Sequence, residues 1–418
     1  MKIAIIGTGI SGLVAAYHIS RANEVTIFEA NNYVGGHTNT IRVKEGPREF
    51  PVDTGFIVYN EENYPNFIRL MDELGVETQP SDMSFSVTCE ESGLQYSGTS
   101  INSLFAQRRN LLRPSFLRMV LDIIKFYRQA PSQLESAGYD VTLSEFLREH
   151  RYSKHFINNH ILPMGAAIWS SGTESMEDFP ARYFVEFFKN HGFLKLVNRP
   201  KWRVIRNGSQ QYVHRLISKF EDQIRLCCPV KSITRSGDSV QVRHQHGSDR
   251  FDYVVIAAHS DQALRMLSDP SSLESEILGN IRYEHNETVL HTDSTLIPKN
   301  PLVRSSWNYS LQKKQPDRPI VTYYMNRLQS LETELDYCVT LNRTDRIDPA
   351  KVLTRISYEH PVFDSRAIAA QKRINEINGK QRTFFCGAYW GYGFHEDGVV
   401  SGLRAFDAFS KVIGEKDE

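Results

Sequence analysis

The first residues able to do chemistry are Gly7-Thr8-Gly9-Ile10-Ser11-Gly12. Glycines at these three places suit a main chain that must wrap closely around a pyrophosphate. Gly7 permits the tight turn, Gly9 lets backbone approach the phosphates, and Gly12 lets the following helix pack on its strand. The amides that open the helix, at Ile10 and Ser11, supply donors and positive potential. Glu29 ends the next strand. Its carboxylate can accept from both ribose hydroxyls and would repel a 2′-phosphate. This much fits NAD or FAD.

Elements must hold these residues. Lys2-Ile3-Ala4-Ile5-Ile6 reads as a buried strand, Ser11 to Arg21 as a helix, and Val25 to Phe28 as a second strand. Ala15 and Ala16 allow the helix to lie close to a sheet. A βαβ unit implies a parallel sheet. Further on, 65–74 predicts a helix ending at Gly75, and 83–97 predicts strands turning at Glu91-Ser92-Gly93. Residues 100–195 read as mostly helical, with breaks at Pro114, Pro131-Ser132, Gly138 and Pro163. A helix at Gln211 to Lys219 precedes strands at 230–234 and 240–244, joined by a hairpin at Ser236-Gly237-Asp238. Tyr253 to Ala258 is an apolar strand. Strands follow at 287–292, 320–325, 337–341 and 383–387, and a last helix starts near Val399.

Other residues narrow the choice of dinucleotide. Glu29-Ala30 is followed by the pair Gly35-Gly36, then His37-Thr38, and later by Val52-Asp53-Thr54-Gly55-Phe56-Ile57. With these residues the chain resembles the superfamily of FAD-dependent amine oxidases, phytoene desaturases and protoporphyrinogen oxidases. The resemblance implies that the glycine pair lies against the FAD pyrophosphate and that Asp53-Thr54-Gly55 runs under the flavin ring. Phe384-Phe385-Cys386-Gly387 looks like the family's final sheet strand, and Gly398-Val399-Val400-Ser401-Gly402 like its last helix start. A helix N-terminus near Val399 would aim an amide at the flavin N1/C2 oxygen and favour negative charge there. Asn207-Gly208-Ser209 resembles the middle glycine motif. Val230 matches the position whose backbone contacts adenine, and the strand ending at Ala258 matches the one that closes the site.

The resemblance covers the whole chain. It implies an α/β fold, with a Rossmann-type, GR2-like FAD-binding domain of the amine oxidase kind and an interleaved α+β substrate domain. The first is expected from 1–80, 200–267 and 380–418, and the second from 81–199 and 268–379. Departures are informative. His37 stands where many amine oxidases carry arginine. Gly387-Ala388-Tyr389 replaces Gly-Glu or Gly-Asp, so Glu396 or Asp397 is expected to take over a cofactor contact, beside Gly398. No Ser-Gly-Gly-Cys motif is present, so the FAD is expected to be noncovalent. The family's amine-oxidase lysine has no match.

More particular strings are Ser306-Trp307-Asn308-Tyr309, Tyr358-Glu359-His360-Pro361-Val362-Phe363 and Gly391-Tyr392-Gly393-Phe394-His395. They resemble a bacterial subgroup associated with cyclopropane fatty-acid synthases and lipid methyltransferases. That implies an unsaturated or methylated acyl substrate, and a methyltransferase as a partner. Desaturation, reduction or isomerisation at carbon would follow, with amine oxidation and a non-catalytic partner role as alternatives. An acyl chain offers almost no hydrogen bonds, so Trp169, Trp307, Tyr323, Trp390 and Phe394 are candidate walls. His360 or His395 is the candidate proton acceptor.

Lys and Arg total 49 and match 49 Asp and Glu, so net charge gives no pull toward nucleic acid. Five cysteines without CxxC read as reduced thiols. No residues have metal-ligand spacing. A strand directly after Met1 leaves no room for a signal peptide, and no run approaches the roughly 18 apolar residues of a span. A cytoplasmic location is expected. Residues 107–129 hold Arg108, Arg109, Arg113, Arg118, Lys125 and Arg128 against Asp122, with Leu117, Leu121, Ile124 and Tyr127 near one helical face. Such a helix suits an anionic membrane surface.

Overall fold

The computed structural model describes residues 1–135, 141–313 and 318–414. Its first layer is a five-stranded parallel sheet in the order Ile224–Arg225, Glu24–Phe28, Lys2–Ile6, Tyr253–Ile256, Thr383–Phe385. The central strands are apolar runs because the sheet is covered on both faces. Ile3, Ile5, Val255 and Phe384 face one core with the first helix, and Ala4, Ile6, Val254 and Phe385 face another. Strand order reverses at Lys2–Ile6, whose two neighbours follow it on opposite sides. That switch point opens a crevice at the carboxyl ends of the strands.

Two helices close one face. The first is Ile10–Ile19, and against it lies the last, His395–Gly414. Glycine makes the approach possible, since a Cβ on Gly402 would sit 2.6 Å from the Ser11 carbonyl oxygen. The last helix begins four residues before the expected Val399. The Gly398 N–H already bonds to the Phe394 oxygen, and Asp397 accepts from the Phe394 N–H at 2.9 Å. Val399 is therefore inside the helix, buried against the first-helix core, and its amide is not a terminal donor.

The helix Pro65–Leu74 begins with proline and ends at Gly75 in the left-handed region, as expected. The helix Pro114–Glu135 runs through Pro131 instead of breaking there. Proline removes a single main-chain bond so near the end, and Ala130 and Leu134 are held in the large core. Pro163 does not break the chain either, because the π-helical turn Ile157–Ile161 just before it runs straight on into Leu162–Trp169. The expected break at Gly138 lies outside the described residues.

A seven-stranded mixed sheet forms the second layer, ordered Val352–Val362, Arg282–His291, Cys338–Leu341, Val321–Tyr324, Trp307–Leu311, Phe85–Cys89, Gln95–Ser97. Val230–Arg235, Val240–His244 and Gly247–Phe251 form an antiparallel meander, whose third strand the sequence reading did not include. A hairpin at Thr40–Glu45 and Arg48–Asp53 was also not foreseen. Among the described residues, no helix is long and apolar enough to cross a membrane.

Candidate functional site

A cavity of about 930 Å³ begins at the carboxyl ends of the parallel strands and runs to the seven-stranded sheet. It is at the upper end of the ~300–1,000 Å³ typical of small-molecule sites. Four of the five strands send their next residues into the wall: Gly7 and Gly9 after Lys2–Ile6, Glu29 and Ala30 after Glu24–Phe28, Ala258 after Tyr253–Ile256, Gly387 after Thr383–Phe385. Val230 lines the same end.

The glycine loop has the geometry that a phosphate cradle needs. Gly7 has φ of +101°, and a Cβ there would press on the Ala257 oxygen at 2.9 Å. A Cβ on Gly12 would sit 2.2 Å from the Gly7 oxygen and 2.9 Å from Ala257 Cβ. Gly12 thus lies behind the wall and sets the helix–strand spacing. A Cβ on Gly9 would meet no protein atom within 4 Å, because that side is cavity. The helix opens at Gly9, with Leu13 the first to bond back to it, so the amides of Ile10 and Ser11 have no helical acceptor. Glu29 accepts from the Thr8 N–H at 3.0 Å, from the Thr8 hydroxyl, and from the Asn31 N–H at 2.9 Å. A carboxylate has about four acceptor sites, so one remains for a ribose hydroxyl.

Gly35 and Gly36 line the wall opposite, with φ of +126° and +60°. A Cβ on Gly36 would stand 3.2 Å from Gly9 Cα, so the two loops face each other closely. Next comes the segment Gly55, Phe56 and Ile57, also in the wall. Asp53 anchors it. Fully buried, its carboxylate accepts from the Thr40 hydroxyl at 2.6 Å, the Ser209 N–H at 2.9 Å and the Gln329 amide at 3.0 Å. Burial lifts its pKa to about 6. The Asn207-Gly208-Ser209 turn therefore reaches the site through Asp53, not by lining it.

Several residues expected at the cofactor lie behind the wall. Thr38 Oγ1 is 2.5 Å from the Tyr212 hydroxyl and 3.0 Å from His395 Nε2. The Thr54 hydroxyl donates to the Asn39 carbonyl at 2.9 Å. Glu396, expected at the cofactor, is turned to another helix. Its two oxygens accept the Asn66 N–H at 3.1 Å and the Phe67 N–H at 2.9 Å, capping the Pro65–Leu74 helix. Asp397 caps its own helix at Phe394, and burial raises it to about 6. A Cβ on Gly398 would sit 2.5 Å from Ile10 Cγ2, so that glycine serves packing. Neither acid lines the cavity.

His37 and His360 line the middle of the cavity, with Tyr358, His259 and Tyr283. His37 stacks on Tyr358 at 4.8 Å, and His259 on Tyr283 at 4.3 Å. Burial, helped by the neighbouring histidines, holds His37 well below the ordinary imidazole range. Burial also lowers His360 to about 4, with His259 adding to it. His360 Nδ1 is 3.0 Å from Asn286 Nδ2. The Asn286 carbonyl oxygen accepts from the Asn342 amide at 2.7 Å, and its Nδ2 reaches the Ser170 oxygen at 3.1 Å. That network makes Nδ1 the acceptor and puts the proton of neutral His360 on Nε2. His360 is then a donor, and the expected role of proton acceptor does not fit.

His395 lies flat on Phe56 at 3.5 Å, and its Nε2 is spent on Thr38 and Tyr212, at 3.0 Å each. Burial lowers it to about 3. It lines the wall, and its Nε2, held by Thr38 and Tyr212, is not open to a substrate proton. His259 and Tyr283 were missed by sequence reasoning. His259 follows Ala258 directly, and position after a strand end was the available signal.

The far end is built from rings. Trp307 meets Tyr323 edge-on at 4.8 Å, and Trp169 packs on Phe187 at 4.6 Å. Phe394 stacks on Phe187 at 5.1 Å. Nε1 of Trp169 and of Trp307 meets no protein acceptor among the described residues. Trp390 falls outside the wall, within the packing beyond the parallel sheet.

The wall fits a flavin dinucleotide. A pyrophosphate has open space over Gly9 and free helix amides, Glu29 keeps a lone pair for ribose, and Gly55–Ile57 offers a closely packed floor for a ring system. Comparison with known proteins agrees. The chain has the fold of cyclohexylamine oxidase from Brevibacterium oxydans IH-35A, with a TM-score of 0.71 at 16% identity, covering 100% of this chain and 99% of that one. It is similar in fold to a CLA-producing fatty acid isomerase from P. acnes, with a TM-score of 0.66 at 17% identity, covering 98% of each. A shorter likeness, 54% identical over 56 residues, is to 4,4'-diapophytoene desaturase (4,4'-diaponeurosporene-forming) of Staphylococcus aureus strain Newman. It spans 13% of this chain and 10% of that protein. The family model described as Flavin containing amine oxidoreductase matches residues 10–299, more than half of the chain, and with the glycine loop, the Glu29 strand end and the fold in agreement, the chain belongs to that family of flavin oxidoreductases.

Proposed function

We propose that this chain holds one FAD noncovalently and exchanges a hydride with a carbon of an unsaturated or methylated acyl chain. When bound, the flavin supplies the hydride acceptor. The far end of the cavity carries the reading. Its wall of Met83, Ile168, Trp169, Phe187, Trp307 and Tyr323 holds no carboxylate and no lysine. The lining lysine, Lys231, stands beside Val230 at the opposite end. An alkylammonium ion at the far end would lose its hydration with ring faces and no carboxylate to hold it. An apolar chain is placed there at no such cost, and the indole N–H groups of Trp169 and Trp307 can donate to an ester or carboxyl oxygen. Noncovalent attachment is supported by the thiols. Cys228 lines the Val230 end, beside His244, and buried Cys386 is not in the wall.

A redox-neutral isomerisation is the second reading, and the histidines favour it. His360 offers a proton and not a lone pair, and moving a double bond by hydride removal and return requires no base. The fatty acid isomerase of similar fold and the short likeness to a desaturase support chemistry at a carbon chain. Partnership with a lipid methyltransferase belongs to the same proposal. The test is dye-linked turnover on unsaturated phospholipid against primary amines, with product analysis. Dye reduction by lipid supports desaturation or oxidation, and a shifted double bond without dye reduction supports isomerisation. Turnover on amines alone overturns the acyl reading.

A further inference from the structure

Among the described residues thirteen large apolar side chains are exposed, and five lie between residues 101 and 121. Ile101 is 79% exposed, Leu112 87% and Leu121 62%, with Leu111 and Leu117 beside them in sequence. Leu117 and Leu121 stand one turn apart on the outer side of Pro114–Glu135, while Phe116, Met119 and Phe126 fill the core beneath. The intervening charge is of one sign. Arg108, Arg109, Arg118 and Arg128 are exposed, and Arg113 and Lys125 partly so. Asp122 is the sole acid from 98 to 134, and it is buried, accepting from Arg118 and from the Ser153 N–H at 2.9 Å. A chain of zero net charge thus carries a cationic face with exposed leucines.

A second cavity, of about 100 Å³, links this face to the site. It shares Met83, Ile168, His191, Phe193, Trp202 and Trp307 with the large cavity. Its other walls include Gly98 and Thr99, just before the helix that begins at Ile101, Tyr127 on the inner side of Pro114–Glu135, and Arg199. Arg199 closes a segment that exposes Leu196 and, at 74%, Val197. Two apolar, basic surface segments therefore border one aromatic passage.

We propose that the surface of residues 101–128 with 195–199 docks on an anionic lipid bilayer, so that the second cavity receives an acyl chain from the membrane. Cations beside exposed leucines match an anionic headgroup layer above hydrocarbon, whereas a polyanion such as nucleic acid would have no use for the leucines. Only the passage of an acyl chain rests on the function proposed above, and the docking surface stands without it.

The test is flotation of the flavin-loaded chain with vesicles of phosphatidylcholine alone, or of phosphatidylcholine with phosphatidylglycerol, at low and high salt. Binding to the anionic vesicles that falls with salt is expected. Arg109→Gln with Arg128→Gln should weaken it about five-fold per charge. Leu112→Ser with Leu121→Ser should weaken it about tenfold or more. Both pairs are exposed, so flavin content and thermal midpoint should hold. Equal binding to neutral vesicles, no flotation, or unaffected variants overturns the proposal, as does a dimer that hides Leu112. Flotation without acyl turnover supports the surface and sinks the substrate. Turnover of detergent-dispersed lipid without flotation does the reverse.

Discussion

Gly9 and Gly12 stand three residues apart, one facing the binding space and the other set in the packing, and alanine distinguishes them. At Gly9 an added methyl meets no protein atom within 4 Å, and φ of −63° and ψ of 169° suit alanine. Loss of a glycine N-cap costs a few tenths of a kcal/mol or more, and the stiffer unfolded chain returns about 0.4–1 kcal/mol. Gly9→Ala should therefore leave folding within about 0.5 kcal/mol. The methyl nevertheless enters the space over the helix amides. Keeping a phosphate from one charge-assisted hydrogen bond costs about 1.5–3 kcal/mol, or a roughly 10–150-fold weaker Kd for FAD. At Gly12 the methyl would lie 2.2 Å from the Gly7 oxygen, so backbone must move. Gly12→Ala should lose about 1–3 kcal/mol of stability as well as affinity. Thermal unfolding of the flavin-free variants and titration with FAD by fluorescence quenching measure both. Gly9→Ala with wild-type affinity would refute the placement of the phosphates over this loop.

Glu29→Ala should weaken FAD about tenfold or more, because it removes both the ribose acceptor and the tie to Thr8 and Asn31; unchanged affinity in the same titration counts against it. Asp53→Ala strands the Ser209, Thr40 and Gln329 donors, and a loss of about 3 kcal/mol or more in denaturant unfolding is expected. His360→Gln should keep turnover within about tenfold, since a donor replaces a donor, whereas loss of a general base would cost about a hundredfold or more in the same assay. Stability should fall on acidification. Burial holds His160 and His395 at about 3 and His191, His291 and His360 at about 4. The unfolded chain protonates these rings near pH ~6.5, so it binds more protons below that pH. Each ring then costs about 1.4 kcal/mol per pH unit down to its folded value. Asp53 and Asp397, raised to about 6, act oppositely and offset two of the five. A lower thermal midpoint at pH 5 than at pH 7 is expected, and a flat or rising one contradicts the burial of neutral histidine.

The opening strand, loop, helix and acid were legible because their signals are local and agree with one another: apolar strand, three glycines, small helix residues, charged strand end. The turn at Gly75 was legible for the same reason. What escaped depends on distant contacts. Gly398 reads locally as a helix start, yet it is the flat place where the last helix meets Ile10. Glu396 looks free for a cofactor, but the amides it caps are 330 residues away. His360 reads as a base until Asn286, oriented by Asn342, fixes its tautomer. The hairpin at 40–53 was hidden by Lys44, Glu45, Arg48 and Glu49, which interrupt the apolar alternation at its exposed tip.

The most direct test is the absorbance spectrum of the purified chain, followed by anaerobic addition of unsaturated phospholipid. Oxidised flavin bands in the ~450 nm region, bleached by lipid and released intact on denaturation, are the predicted result. Bands that bleach only with amines contradict the acyl substrate, and a colourless chain that takes up no FAD contradicts the flavin site itself.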